Sequence, residues 1–125
     1  THDIEGAIAA LAGDRVQALI TGSSPIISRS ARRIAELAIQ YRLPSVGINR
    51  QQAESGFLIA YGSDLDEVIR RAAQFVDKIL KGARPADLPV EQPTRLEFAI
   101  NLTTAQALGL AVSPSLLARA DAVIE

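Results

Sequence analysis

The 125 residues contain no cysteine, a single histidine and five aromatic rings, and each shortage closes off a class of function. Without cysteine there is no disulfide, no thiol nucleophile and no thiolate metal site, while the compartment stays open. The lone histidine is His2, beside the chain terminus, so a serine nucleophile lacks the base that would take its proton. Thr21-Gly22-Ser23-Ser24-Pro25 departs from the G-x-S-x-G elbow, because proline and isoleucine follow where the second glycine belongs. Neither a phosphate loop nor a G-x-G-x-x-G turn occurs, so nucleotide readings lose their fingerprint and no cofactor is expected. A phosphoacceptor pocket wants an aspartate at a strand end, and the expected strands end in Thr21, Ile48 and Tyr61. With no paired histidines, a transition-metal site is not expected either; Asp64, Asp66 and Glu67 read as charges in the first turn of a helix.

Charge of one sign is also missing. Thirteen Lys and Arg face fourteen Asp and Glu, and no basic run exceeds two residues. A surface that holds a phosphate backbone needs more, and Phe57, Phe75, Phe98, Tyr41 and Tyr61 are too few for stacking platforms, so nucleic acid is excluded as a partner. No window reaches the roughly 18 apolar residues of a membrane span, and no basic-then-apolar leader opens the chain. What is present is 48% hydrophobic and 22% charged residues, the balance of one soluble globular domain over residues 1–125.

Ile4, Ala7, Ile8 and Leu11 recur at helical spacing, with Asp3 placed to cap the start and Gly13 to supply a left-handed stop. Val16 to Thr21 is a nearly continuous apolar run, the pattern of a strand covered on both faces. Gly22 to Pro25 breaks it, and Ile27 to Arg42 reads as one helix with Ile27, Ala31, Ile34, Ala38 and Tyr41 on its apolar stripe. Pro44 to Ile48 reads as a strand, Asn49 to Gly56 as a polar connector and Phe57 to Tyr61 as a third strand. The clearest helix spans Leu65 to Leu80: Ser63 or Asp64 caps it, Asp66 and Glu67 open it, Lys78 and Lys81 close it and Gly82 ends it. Pro85, Pro89 and Pro93 mark an extended connector. Arg95 to Asn101 resumes as a strand, Thr103 caps a short helix ending at Gly109, and Ser113-Pro114 opens a last one.

Helices alternating with buried strands predict a three-layer α/β/α sandwich on a mostly parallel sheet. In such sheets ligands sit outside the carboxyl ends of the strands, which selects Thr21 to Ser24, Asn49 to Gln52 and Tyr61 to Asp64. At Gly22 the backbone can approach a ligand, and Ser23 and Ser24 bring hydroxyls next to the free N–H groups of a helix start, an arrangement for a small anion that equally suits a plain serine cap. Asn49 lies in the second loop, and Arg50 there can meet an anion or simply be solvated. Tyr61 either walls a pocket or finishes the core, Gly62 completes the turn, and Asp64 either caps the helix or meets a ligand amine.

A long pattern carries more. Tyr61-Gly62-Ser63-Asp64-Leu65, Arg71-Ala72-Ala73 and the run from Val76-Asp77-Lys78-Ile79-Leu80-Lys81-Gly82 through Ala86-Asp87-Leu88-Pro89-Val90-Glu91-Gln92-Pro93-Thr94 resemble the ABC transporter substrate-binding protein family that includes tryptophan and tyrosine importer components. Phe98-Ala99-Ile100-Asn101-Leu102-Thr103-Thr104-Ala105, Leu108-Gly109-Leu110 and Pro114 to Asp121 continue the match, as do Ile34 to Ala38 and Tyr41 to Pro44. The resemblance implies a type I periplasmic binding protein fold, two α/β lobes that trap a small solute between them, with this chain as the C-terminal lobe. It implies an extracytoplasmic place, a membrane permease as partner, and an N-terminal lobe and export signal lying outside these residues. It further implies that the ligand loops are Gly22 to Ser24 and Tyr61 to Asp64; amino-acid-binding relatives tend to carry Asp-Asn-type residues at the first, where this chain has Ser23 and Ser24. The alternative is a ligand-sensing domain of a regulatory or signalling protein, since one lobe can be grafted elsewhere. A lobe taken alone exposes its cleft face, so self-association is expected as well.

Overall fold

The computed structural model describes residues 4–125; the Asp3 cap and His2 lie outside the described residues. The chain forms α1 (Ile4–Gly13), β1 (Leu19–Ile20), α2 (Pro25–Arg29), α3 (Ala31–Gln40), β2 (Ser45–Gly47), α4 (Arg50–Glu54), β3 (Ile59–Ser63), α5 (Leu65–Leu80), β4 (Leu96–Asn101), α6 (Leu102–Leu108), α7 (Pro114–Leu117) and β5 (Ala122–Ile124), with one turn of 3-10 helix at Pro85–Asp87. The five strands lie side by side in chain order. β1–β2, β2–β3 and β4–β5 are parallel, and β3–β4 alone is antiparallel, so the expected mostly parallel α/β sheet is present.

The register sorts the side chains into two kinds of row. Gly47, Ala60, Ala99 and Ala122 lie side by side across four strands, and this row of small residues lets Ala53 of α4 pack close to the sheet. The neighbouring row runs Ile20, Val46, Ile59, Ile100 and Val123, all β-branched. Ile100 is fully buried, whereas Ile20, on the edge strand, is 77% exposed. A second core joins Ile8 of α1, Ala31, Ile34, Ala35 and Leu37 of α3, and Phe57 just before β3. Buried polar groups are paired: Ser45 Oγ accepts the Leu58 N–H at 3.3 Å, and Thr104 Oγ1 donates to the Gly56 carbonyl at 2.9 Å.

Several boundaries differ from the sequence reading. The Val16 to Thr21 strand shrinks to Leu19–Ile20, because it has one neighbour and its ladder lasts only as long as β2 does. The single helix from Ile27 to Arg42 is two, broken at Ser30, whose N–H still reaches the Ile26 and Ile27 carbonyls. The third strand sits two residues later than Phe57 to Tyr61. Gly13 stays helical, and the left-handed residue is Arg15 at φ 58. Asn101, not Thr103, caps α6: its Oδ1 accepts the Thr104 N–H at 2.8 Å while its Nδ2 donates to the Ala53 carbonyl at 2.9 Å. The long helix and the caps at Asp64, Gly82, Gly109 and Ser113 stand where the sequence puts them. Among the described residues no helix is long and apolar enough to cross a membrane.

Candidate functional site

Because β1, β2 and β3 are parallel, the loops after them leave the same end of the sheet. Each loop ends in a side chain that satisfies a helix start. Ser24 Oγ accepts the Ile26 N–H at 3.3 Å, Asn49 Oδ1 the Gln52 N–H at 3.1 Å, and Asp64 Oδ1 the Glu67 N–H at 3.1 Å. Asn49 to Gly56 is therefore not a plain connector but carries α4, with Gln52 tucked inside and its Oε1 accepting the Ile48 N–H at 2.7 Å. Gly47 makes room for that side chain: a Cβ there would stand 2.5 Å from Gln52 Oε1.

Gly22 and Ser23 are exposed, and the space beside Gly22 is open. Tyr61 pairs edge-on with Phe98, ring centres 6.3 Å apart at 71°, with most of its surface in solvent. Gly62 has a backbone reason to be glycine, since a Cβ would lie 1.9 Å from the Ile48 carbonyl oxygen.

A cavity of about 420 Å³ opens beside these loops, between α4, the start of β4 and the start of α5. Arg50 reaches Glu54 through Nε at 2.8 Å and Glu97 through Nη1 at 3.5 Å. The bond to Glu54 and its charge, with Glu97 adding to them, raise the guanidinium further above its ordinary value, so Arg50 is a permanent cation. Across the cavity Asp64 Oδ2 lies 3.6 Å from Arg95 Nε. Arg70 and Asp66, on the first turns of α5, face the same space and carry no ion pair among the described residues. A second hollow of about 230 Å³ adjoins it, sharing Leu65 and Gln51 and reaching Asn49.

The structure thus brings Arg50 and Asp64 together in one cavity with Asn49 next to it, while Gly22, Ser23, Ser24, Tyr61 and Gly62 line neither hollow. Glu54, Arg70, Arg95 and Glu97 were not singled out from the sequence. Glu54 has a signal, standing four residues after Arg50, once Asn49-x-x-Gln52 is taken as a helix start. Glu97 and Arg95 have none, because only the antiparallel register of β3 and β4 sets them here. Replacing Asp64 by alanine removes both the α5 cap and the Arg95 partner; a loss of about 1 kcal/mol is expected, read by urea unfolding, with Asp64→Asn recovering most of it because asparagine also caps.

The cavity can hold a small polar molecule by charge and hydrogen bonds. The family model described as "ABC transporter substrate binding protein" matches residues 1–124. The chain belongs to this family. It is a substrate-binding class and not an enzyme class. A protein of Clostridioides difficile named "Tyrosine-binding protein" is 24% identical over 110 residues, covering 88% of this chain and 32% of that protein. Among solved structures, a conserved domain protein from Vibrio cholerae superposes with a TM-score of 0.88 at 25% identity, over 97% of this chain and 40% of that one. An ABC domain from Streptococcus pneumonia, solved in complex with L-Trp, gives 0.89 at 24% identity, over 98% of this chain and 41% of that one, and shows the same fold. The chain therefore spans well under half the length of these relatives.

Proposed function

We propose that the polypeptide carrying these residues captures a small zwitterionic solute, an amino acid, between two lobes, of which the strands and helices around the sheet are one. It then hands the unchanged solute to a membrane permease outside the cytoplasm. The observation that supports the reading best is the mixed charge of the 420 Å³ cavity, a size within the usual range for ligand sites. Arg70 offers a carboxylate an unpaired guanidinium, Asp66 offers an ammonium an unpaired carboxylate, and Arg50 and Asp64 hold the wall between them. Family membership and the tyrosine- and tryptophan-related names among the relatives support the same class of ligand. Binding energy then goes into closing the lobes around the solute.

Thermal unfolding of the full-length protein with L-tryptophan, L-tyrosine, the other amino acids, small carboxylates and sugars tests this. A ligand at a hundredfold excess over its Kd stabilises by about 2.7 kcal/mol, so one or a few amino acids should raise Tm clearly. Arg70→Ala should weaken that binding roughly tenfold to a hundredfold, the worth of one charged hydrogen bond, with little change in the ligand-free Tm because the side chain is exposed. A panel in which only sugars, or nothing, raises Tm refutes the reading.

A further inference from the structure

Side chains alternate along β4, so Glu97 and Phe98 point to opposite faces of the sheet. Glu97 enters the 420 Å³ cavity, and Phe98 goes to the far side with its cross-strand partner Tyr61, where the two rings meet edge-on. Neither ring lines the cavity, and Leu65 is its one apolar residue among the described residues. An aromatic or aliphatic solute side chain draws its binding energy from apolar surface taken out of water, and this wall supplies almost none. It supplies charge instead: the three guanidiniums of Arg50, Arg70 and Arg95 stand against the four carboxylates of Glu54, Asp64, Asp66 and Glu97.

The excess carboxylate has a location. Asp64 is provided for on both oxygens, Oδ1 taking the Glu67 N–H and Oδ2 facing Arg95. Asp66 stands one helical turn before Arg70, so α5 presents one charge of each sign, a match for the two charged ends of an amino acid's backbone. On the α4 and β4 side, Arg50 serves two carboxylates at once. Its Nε lies 2.8 Å from Glu54, a full hydrogen bond, whereas its Nη1 comes only within 3.5 Å of Glu97, beyond the usual range. Glu97 is nevertheless the more withdrawn from water, its side chain 17% exposed against 47% for Glu54. A carboxylate that has given up most of its hydration needs a close cation, and Glu97 has a long contact to a shared one. A second cation placed beside it corrects both the distance and the count.

We infer that the solute is an amino acid with a cationic side chain, of the lysine, ornithine or arginine kind, whose side-chain cation lies against Glu97 while its carboxylate and α-ammonium face Arg70 and Asp66. The inference rests on the amino-acid reading above and narrows it. It also sets this cavity apart from one that would receive tyrosine or tryptophan, since the ring of either would find seven charged neighbours and one leucine.

Isothermal titration of the full-length protein tests it, with L-lysine, L-ornithine, L-arginine, L-norleucine, L-tyrosine, L-tryptophan and cadaverine as titrants. Norleucine has the lysine chain without the ammonium, so the comparison isolates the side-chain charge in the unaltered protein. One of the three cationic amino acids should bind about tenfold or more tighter than norleucine, tyrosine and tryptophan, as expected for one charged hydrogen bond. Added salt should weaken that binding. In Glu97→Gln, which keeps the side chain's size, the preference over norleucine should shrink by roughly tenfold or more, with folding checked by thermal unfolding. Norleucine, tyrosine or tryptophan binding as tightly as the cationic amino acids overturns the inference and leaves the amino-acid reading standing. A preference for the cation that survives unchanged in folded Glu97→Gln also overturns it, because the cation then lies elsewhere. Cadaverine bound as tightly as lysine, and as sensitive to Glu97→Gln, refutes the amino-acid reading while the cation site at Glu97 stands.

Discussion

Gly62→Ala is expected to destabilise the fold by about 3 kcal/mol or more, at the upper end of what overpacking costs. The added Cβ would sit 1.9 Å from the Ile48 carbonyl oxygen and 2.9 Å from its carbon. A flexible side chain could swing away, but this is the backbone that leaves β2 for α4, held by the Gln52 Oε1 bond to the Ile48 N–H at 2.7 Å. Moving it disturbs the β2–β3 pairing and the cavity wall at Arg50 together. Gly22→Ala is the matched control: the space beside Gly22 is open and its φ is not positive, so a change within about 0.5 kcal/mol is expected, as for surface substitutions generally. Urea unfolding of the pair reads both. Equal midpoints would mean that Gly62 is not pressed against Ile48.

Phe57→Ala is the second large effect, about 3–5 kcal/mol, the range for truncating a buried aromatic ring. Phe57 is fully buried in the core that ties α1 and α3 to the sheet, against Ile8, Ile34 and Leu37. A domain of this size has about 5–15 kcal/mol in all, so the loss consumes a large share and the variant should unfold near ambient temperature in modest denaturant. Ile20→Ala makes the contrast. It removes about half as much apolar mass, from an edge strand where the side chain is mostly in solvent, and should cost well under 1 kcal/mol. A Phe57→Ala midpoint close to that of Ile20→Ala would contradict the placement of this core.

These two sites also show what the sequence carries. Local signals read correctly at Asp64, the acidic first turn and Gly82, which delimit α5, and at Ser113-Pro114, which opens α7, but not at Gly13 or Thr103. The apolar spacing of α3 names its buried face, apart from Tyr41, which is exposed past the helix end. Short or composite elements escape. α4 is little more than one turn and buries only Gln52 and Ala53, so it has no periodicity to detect. β4 runs straight into α6 with Asn101 serving as last strand residue and first cap, which hides the junction.

The candidate cavity was legible in position more than in membership. Parallel strands place three loops at one sheet end, and this much follows from an α/β pattern. The partners that make the cavity charged do not follow. Glu97 and Arg95 arrive by cross-strand register, and Arg70 by the direction in which α5 leaves β3. Periodicity likewise told which face of α5 is apolar without telling that its side chains stay exposed, because burial depends on packing that the local pattern does not contain.

The central claim is that this family member holds a small solute and releases it unchanged. Equilibrium dialysis of the full-length protein against an equimolar mixture of L-amino acids, followed by mass spectrometry of what the protein retains, tests it most directly. The account predicts that one amino acid, or a few of similar side chain, is retained near one per protein, is recovered chemically intact after denaturation, and is lost from Arg70→Ala. Retention of no amino acid, or recovery of an altered molecule, would contradict it.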